Sequence, residues 1–172
     1  MIKDPLAKAL NDHVNAEYYS AYLYLTMSAY ANRCGYKGIA NWLFVQAREE
    51  MAHGTHIYQH LLDRGATPSF ADVKAPQASY GSIKDVFEKV LAHERHVTEL
   101  INRIASLAFN ENDHATYNFI TWYVNEQVEE EANADELVTK LRNAGDNQSL
   151  LYSIDAELGA RQFVDPFPQT DA

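Results

Sequence analysis

The sequence is short of cysteine, of basic residues and of long apolar runs, and each shortage excludes a class of protein. Its single cysteine, Cys34, excludes an internal disulfide framework and any zinc or iron–sulfur site built on cysteines. Lys and Arg number 14 against 24 Asp and Glu, which gives a formal net charge of −10. Because phosphate binding needs a basic face, this balance argues against nucleic acid as the main partner and suits cations.

The shortage of apolar runs bears on where the protein is found. Residues Met1 to Pro5 belong to no apolar segment of signal-peptide length, and no later run could span a bilayer. We therefore expect a cytoplasmic protein with no membrane partner. A length of 172 residues with 47% hydrophobic content predicts one compact domain over residues 1–172.

Helical periodicity runs through most of the chain. Apolar residues recur at steps of three and four and no strand-like alternation persists, so an all-α fold is predicted. Four long helices should form a bundle over about residues 5–144, and a short fifth helix at about 147–158 should precede a flexible tail. The long helices are predicted to begin at Asp4 and near Gly38, Ser82 and Asn112, and to end by Gly35, Gly65, Asn110 and Gly145.

The connection from Ala66 to Gly81 is long and contains proline. Fully extended, it could reach on the order of 50 Å, whereas a helix of this length spans about 42 Å. It can therefore run the length of the bundle and make the second and third helices parallel, while the short connections make antiparallel hairpins. This predicts a four-helix bundle with one long crossover loop.

Each long helix has an apolar seam that is interrupted near its midpoint by a polar residue. The interrupting glutamates are Glu17, Glu50, Glu94 and Glu130, and Gln127 lies one turn before the last of them. Burying several carboxylates is costly unless protons or cations neutralise them. The seams contain no matching set of lysines or arginines, so the sequence predicts protons or metal cations at the centre of the bundle.

The imidazole of His53 favours metal over protons. It follows Glu50 by three residues, so the two side chains lie on one helical face and can meet around a single ion. The spacing alone is a weak signal, because acidic helices with histidines show it by chance. Carboxylates from four helices with one imidazole suit iron or manganese, and a dinuclear site is predicted, with a proton-sharing carboxylate cluster as the alternative.

With these motifs, the chain resembles the bacterial non-haem ferritins over nearly all of its length. The resemblance implies an iron-storage ferroxidase that oxidises Fe(II) to Fe(III) with O₂ or peroxide. The ferric mineral would be stored inside a hollow shell of twenty-four identical subunits, with the fifth helix lining the fourfold axes. The motifs that carry it are Glu17, Glu50-Met51-Ala52-His53, Glu94 and Glu126-Gln127-Val128-Glu129-Glu130.

The same resemblance implies the ligands of two irons. Glu17, Glu50 and His53 would hold the first iron. Glu50, Glu94 and Glu130 would hold the second, so that Glu50 bridges the pair.

Further positions match the family outside this ligand set. Gln127 would contact bound oxygen or a metal ligand, and Tyr24 matches the tyrosine beside the centre. A third iron site near the inner surface is matched by Glu49, Glu126, Glu129 and Glu130.

Met51 stands where bacterioferritins carry a haem-binding methionine. Those relatives have a second Glu-x-x-His, whereas Gln127-x-x-Glu130 ends in a carboxylate. Haem is therefore not expected, and the alternative for Met51 is a surface or interface position.

Two other functions fit the sequence. One is a storage shell whose acidic inner surface nucleates mineral without a catalytic centre, and the other is a small di-iron oxygenase that works with an electron-transfer protein. The remaining histidines are expected to be surface or packing residues, namely His13, His56, His60, His93, His96 and His114.

Overall fold

A computed structural model describes residues 1–168, which form five α-helices and no strand. The predicted all-α class is confirmed, and each helix boundary lies within about two residues of its expected position. No helix in this range is long and apolar enough to cross a membrane. The helices are α1 (Asp4–Arg33), α2 (Lys37–Asp63), α3 (Ile83–Asn110), α4 (His114–Ala144) and α5 (Gln148–Leu158).

Local side-chain chemistry explains the helix ends. The Ser82 hydroxyl accepts a hydrogen bond from the Asp85 amide at the start of α3, and the Asp113 carboxylate accepts one from the Thr116 amide at the start of α4, both at 3.1 Å. These bonds satisfy amides that have no partner within the helix. After α1, Gly35 has a φ of +90°, a left-handed conformation that glycine adopts without steric cost.

The long connection crosses the bundle along α1. Asn11, near the start of α1, exchanges hydrogen bonds of 2.7 and 2.8 Å with the backbone of Ser69. Thr26, near the other end of α1, donates to the carbonyl of Gln77 at 3.2 Å. The connection therefore runs along the outside of α1, which confirms the predicted crossover between α2 and α3.

The apolar core is divided into two clusters, because each long helix contributes buried apolar residues on both sides of its midpoint. One cluster includes Leu43, Phe87 and Leu141. The other includes Leu10 and Ile57 at the opposite end of the same bundle. Each fully buried side chain of this kind contributes about 1.5–3 kcal/mol to folding, which offsets the cost of the polar layer between the clusters.

The short α5 packs across the start of α2. A Cβ atom on Gly38 would lie 1.7 Å from the carbonyl oxygen of Asp155, so only glycine permits this approach. The Asp155 carboxylate accepts a hydrogen bond of 2.8 Å from the Ile39 amide at the N-terminus of α2. The chain then turns back, and Phe167 stacks on His56 of α2 with 3.6 Å between ring centres. The end of the predicted flexible tail, residues 169–172, lies outside the described residues.

Candidate metal centre

The polar layer between the two apolar clusters is nearly closed to solvent. No member is more than 6% exposed, and each comes from the middle of a long helix. The fully buried Tyr24 hydroxyl also reaches this layer. The layer consists of Glu17, Glu50, His53, Glu94, Gln127 and Glu130.

Glu17, Glu50 and His53 form the tightest group. One ligand atom from each lies within 4.8 Å of the others, and Nδ1 of His53 is 3.6 Å from Oε2 of Glu50. Oε2 of Glu17 and Nε2 of His53 are buried without a hydrogen-bond partner among residues 1–168. Such atoms are costly to bury, and a bound cation would satisfy both.

Gly54 allows this group to assemble. A Cβ atom at that position would lie 2.7 Å from the ring of Tyr18 and 3.2 Å from Cβ of Glu17. The absence of a side chain therefore lets α1 approach α2 one residue after His53. This contact between helices brings Glu17 to the pair on α2.

Glu94 and Glu130 lie in the same layer but outside the tight group, each held by a hydrogen-bond donor. Nε2 of Gln127 donates to Oε2 of Glu94 at 3.1 Å, and the Tyr24 hydroxyl donates to Oε1 of Glu94. Nε2 of Gln46 donates to Oε1 of Glu130 at 2.8 Å. The donors fix both carboxyl groups, and neither forms an ion pair with an imidazole among residues 1–168, as Glu50 does with His53.

The two sides of the layer also differ in charge. Burial and the neighbouring Glu50 raise the pKa of Glu130 to about 8 and hold the pKa of Glu94 well above its usual range. Burial acts in the same direction on Glu17, but the charges of His13 and His53 outweigh it and lower the Glu17 pKa to about 2. Without a cation, Glu17 is therefore ionised at neutral pH and Glu130 is largely protonated, and burial shifts the pKa of Glu94 in the same direction as that of Glu130.

His53 is positively charged at neutral pH when no metal ion is bound. Burial lowers its pKa, but the hydrogen bond and charge of Glu50, together with the charge of Glu17, outweigh burial and raise the pKa to about 10. A metal ion at Nδ1 or Nε2 must displace a proton from the ring. The two predicted alternatives, a proton-sharing cluster and a metal site, therefore involve the same group of residues.

Sequence reasoning missed two residues that contact the centre and a third that contacts one of them. His13, expected to be a surface or packing residue, is buried with Nε2 at 3.0 Å from Oε1 of Glu17. Gln46 is fully buried and contacts two of the carboxylates. Arg161 contacts Gln46 through its guanidinium. The four-residue spacing of His13 and Glu17 could have revealed the first contact.

Most of the other histidines are packing residues, as expected. His56 and His60 stack on Phe167 and Phe119, with ring centres 3.6 and 3.8 Å apart. The ring of His93 forms a hydrogen bond of 2.8 Å with the Ser20 hydroxyl.

The residues expected at a third site do not form a tight group. Glu49 is ion-paired with Arg161, Glu126 is half-buried and Glu129 is exposed. Among residues 1–168, the Glu17, Glu50 and His53 group is the only one with three or more ligands close enough for one ion. Met51 is 45% exposed on the surface of α2.

Comparisons with known proteins agree with the fold. A family model described as the ferritin-like domain matches residues 7–144. The bacterial non-heme ferritin of Staphylococcus aureus (strain USA300) is 39% identical over 163 residues, covering 95% of this chain and 98% of the relative. Its counterpart from Staphylococcus epidermidis (strain ATCC 12228 / FDA PCI 1200) is 40% identical over 163 residues, with the same coverage.

Two solved structures of an archaeal ferritin are also similar to this chain in sequence and in fold. A closed form of the Archaeoglobus fulgidus ferritin, engineered by site-directed mutagenesis, superposes with a TM-score of 0.94 at 43% identity, covering 95% of this chain and all of that one. The open pore ferritin from the same hyperthermophilic archaeon superposes with a TM-score of 0.92 at 43% identity, covering 94% of this chain and 98% of that one.

Proposed function

The chain belongs to the ferritin family, and from that premise we propose that it stores iron and oxidises Fe(II) to Fe(III) at a dinuclear centre in each subunit. The observation that carries the proposal is the buried group of Glu17, Glu50 and His53, whose ligand atoms lie within 4.8 Å of one another. Two carboxylates and an imidazole are a suitable ligand set for the first Fe(II).

The second Fe(II) binds between Glu50, Glu94 and Glu130, so that Glu50 bridges the two ions. Glu130 releases its proton as the ion enters, and any proton on Glu94 leaves with it, because a carboxyl group must be ionised to act as a ligand. Gln127 and Tyr24 both donate to Glu94. They hold that carboxylate in place and present polar groups near the position of the oxidant.

The chemistry is an electron transfer from the two iron substrates to O₂ or peroxide. Each Fe(II) loses one electron, so the pair supplies the two electrons that reduce O₂ to peroxide or peroxide to water. The anionic ligands favour Fe(III) over Fe(II) through charge. A single imidazole, on the side of the first iron only, makes the two positions unequal, as expected for a site that passes iron onward.

Storage requires assembly, and exposed apolar side chains support a homo-oligomer. Tyr22 and Leu25 on α1 and Phe44 on α2 are each more than 40% exposed, as are Leu150 and Tyr152 on α5. Exposed apolar residues on several helices are typical of surfaces that subunits cover. We propose a cytoplasmic shell of twenty-four subunits. In this shell, the third iron site near the inner surface is provided by Glu49, Glu126, Glu129 and Glu130.

The test combines native mass with iron oxidation. The expected assembly has a mass of about 470 kDa, twenty-four times the chain mass of 19.5 kDa. Fe(II) is added in air and ferric absorbance is followed for the parent, for Glu50→Ala and for Glu136→Ala as a control at an exposed position on α4. Glu50→Ala should lose the fast phase and keep its helicity. Equal rates for Glu50→Ala and the parent would contradict the proposed centre.

A further inference from the structure

The bundle has four sides, and the side between α2 and α4 is the wide one. On the other three sides the helices approach until Cα atoms lie within 8 Å, but no Cα atom of α2 lies within 8 Å of one of α4 among residues 1–168. The rings of Trp122 and Tyr123 on α4 reach across to His53 on α2, with ring centres 5.4 and 5.8 Å away. The centre is therefore closed on this side by side chains rather than by closely packed backbones.

A strap formed by residues 160–168 lies over this wide side. The ring of Phe167 contacts both helices, because its centre is 3.6 Å from that of His56 on α2 and 4.5 Å from that of Trp122 on α4. It also covers the ring of His53, at 6.1 Å between ring centres. His53 is only 3% exposed. Part of the cover over this imidazole thus comes from outside the four-helix bundle.

Side-chain packing holds the last part of the strap, residues 162–168. Within the described part of the chain, the only hydrogen bond of this segment is local, from the Phe167 amide to the Asp165 carboxylate at 2.9 Å. Phe163 lies against the guanidinium of Arg48 at 4.0 Å. Segments with few hydrogen bonds to the rest of the fold and little buried apolar surface open at a low cost in free energy. We therefore expect the strap to open while the bundle stays folded.

Room for an open position exists beside the ring of Phe167. A cavity of about 440 Å³ is lined by Asp165 and Phe167 of the strap and by Met51, Thr55 and Gln59 of α2. This space is larger than a phenylalanine ring. The ring can therefore leave its present position without displacing α2.

We infer that the strap is a lid on the centre, closed by Phe167, and that metal ions enter and leave between α2 and α4 when it opens. The inference rests on the proposed function, since the ions exchanged are those of the proposed centre. Phe167 offers no ligand atom. A lid of this kind slows entry and exit by the same factor and leaves the affinity unchanged, whereas a residue that supports a ligand changes the affinity.

The experiment follows Co(II) in the assembled protein. Entry is measured by stopped flow from the visible absorption of bound Co(II), exit by adding an excess of the chelator EDTA, and affinity by calorimetry. Glu50→Ala should bind Co(II) only outside the proposed centre, so it gives the rate of passage into and out of the assembly. The parent should bind Co(II) tightly and exchange it more slowly than Glu50→Ala does.

Variants of the strap test the lid directly. Phe167→Ala should raise the entry and exit rates by about tenfold each, because the open form gains population when the aromatic contacts are lost, and should leave the affinity unchanged. Phe167→Tyr keeps the ring and should exchange Co(II) as the parent does. Phe163→Ala loosens the strap at Arg48 and should raise both rates by a smaller factor, about threefold. The matched control is Phe119→Ala, which removes a ring of the same type outside the strap, stacked on His60 at 3.8 Å. It should leave both rates unchanged.

The outcomes distinguish the lid from the function on which it rests. Parent-like rates in Phe167→Ala, or an equal increase in Phe119→Ala, would overturn the lid. A weaker affinity with an unchanged entry rate would show that Phe167 supports His53 instead, and would overturn it too. Exchange in the parent as fast as passage through the assembly would mean that the strap is no barrier. Absence of tight Co(II) binding in the parent would contradict the proposed centre itself, and the lid with it.

Discussion

The two sides of the candidate centre both contain glutamates, but these glutamates differ in their pKa values and in their hydrogen-bond partners. On one side, Glu17 is ionised beside His53, and one atom of each is buried without a hydrogen-bond partner among residues 1–168. On the other side, burial raises the pKa of both Glu94 and Glu130, and neutral amide donors engage both carboxyl groups, with Gln127 contacting Glu94. The first side must release one proton, from His53, when a cation binds there, whereas the second must release the protons of its carboxyl groups. Glu50 belongs to both sides, so binding at the first should favour binding at the second.

The largest effect should come from removing the imidazole of the tight group on the first side. In His53→Ala the first ion loses a ligand, and Glu50 loses the group that faces it at 3.6 Å. Loss of a residue that only supports a ligand already lowers metal affinity by about 10–100-fold, so loss of a ligand should cost at least as much. Anaerobic Fe(II) titration should show both ions weakened. His114→Ala, which changes an imidazole at the start of α4, is the control. Selective weakening of the second ion alone would reverse the proposed order of binding.

The second prediction concerns pH. The Glu130 pKa of about 8 lies above the usual value of 4.5, so the folded protein holds this proton between pH 4.5 and 8 while the unfolded chain has lost it. The raised pKa of Glu130 therefore stabilises the folded, metal-free protein fully below pH 4.5. This stabilisation is lost as the pH rises through 8. Binding of the second ion should instead become stronger as the pH rises, because it requires the ionised carboxylate of Glu130.

Two measurements test these opposite pH dependences of stability and of metal affinity. The contribution of Glu130 to second-ion affinity should rise by up to about tenfold per pH unit between pH 6 and 8 and level off above pH 8. Glu130→Gln, which cannot ionise, should flatten the pH dependence of metal-free stability over the same range and abolish tight binding of the second ion. Because His53 also releases a proton when the first ion binds, the part of the pH dependence assigned to Glu130 is the difference between the parent and Glu130→Gln. A second-ion affinity that is independent of pH would mean that Glu130 is already ionised in the folded protein.

Local sequence patterns predicted the fold and the residues of the polar layer. Helix ends follow from capping groups such as Ser82 and Asp113, and the position of Glu94 follows from an apolar period of three and four residues. Both signals depend on neighbours a few residues apart. The family and the crossover are confirmed by the comparisons and by the contacts of the connection with α1, whereas the ligand roles stay predictions.

The missed residues show what local patterns leave out. Gln46 and Glu130 are 84 positions apart, and Arg161 is 115 positions from Gln46. No periodicity relates such pairs, because the return of the chain after α5 depends on the packing of Gly38 against Asp155. Donors to a buried carboxylate can come from any segment that the tertiary fold brings near. The sequence therefore predicted the carboxylates of the centre better than the groups that hold them.

The smallest expected effect concerns His13, which supports the first side without belonging to the tight group. Its ring is 3.0 Å from Glu17 and helps to keep that carboxylate ionised against the effect of burial. His13→Leu removes the contact and should weaken the first ion by about tenfold, the lower end of the effect of lost support. His13→Gln, which keeps a donor, should recover part of the loss. The control is His60→Leu, at an imidazole stacked on Phe119 rather than beside a carboxylate of the centre. If His60→Leu weakens the first ion equally, His13 acts through packing, and the first side is prepared by Glu50 and His53 alone.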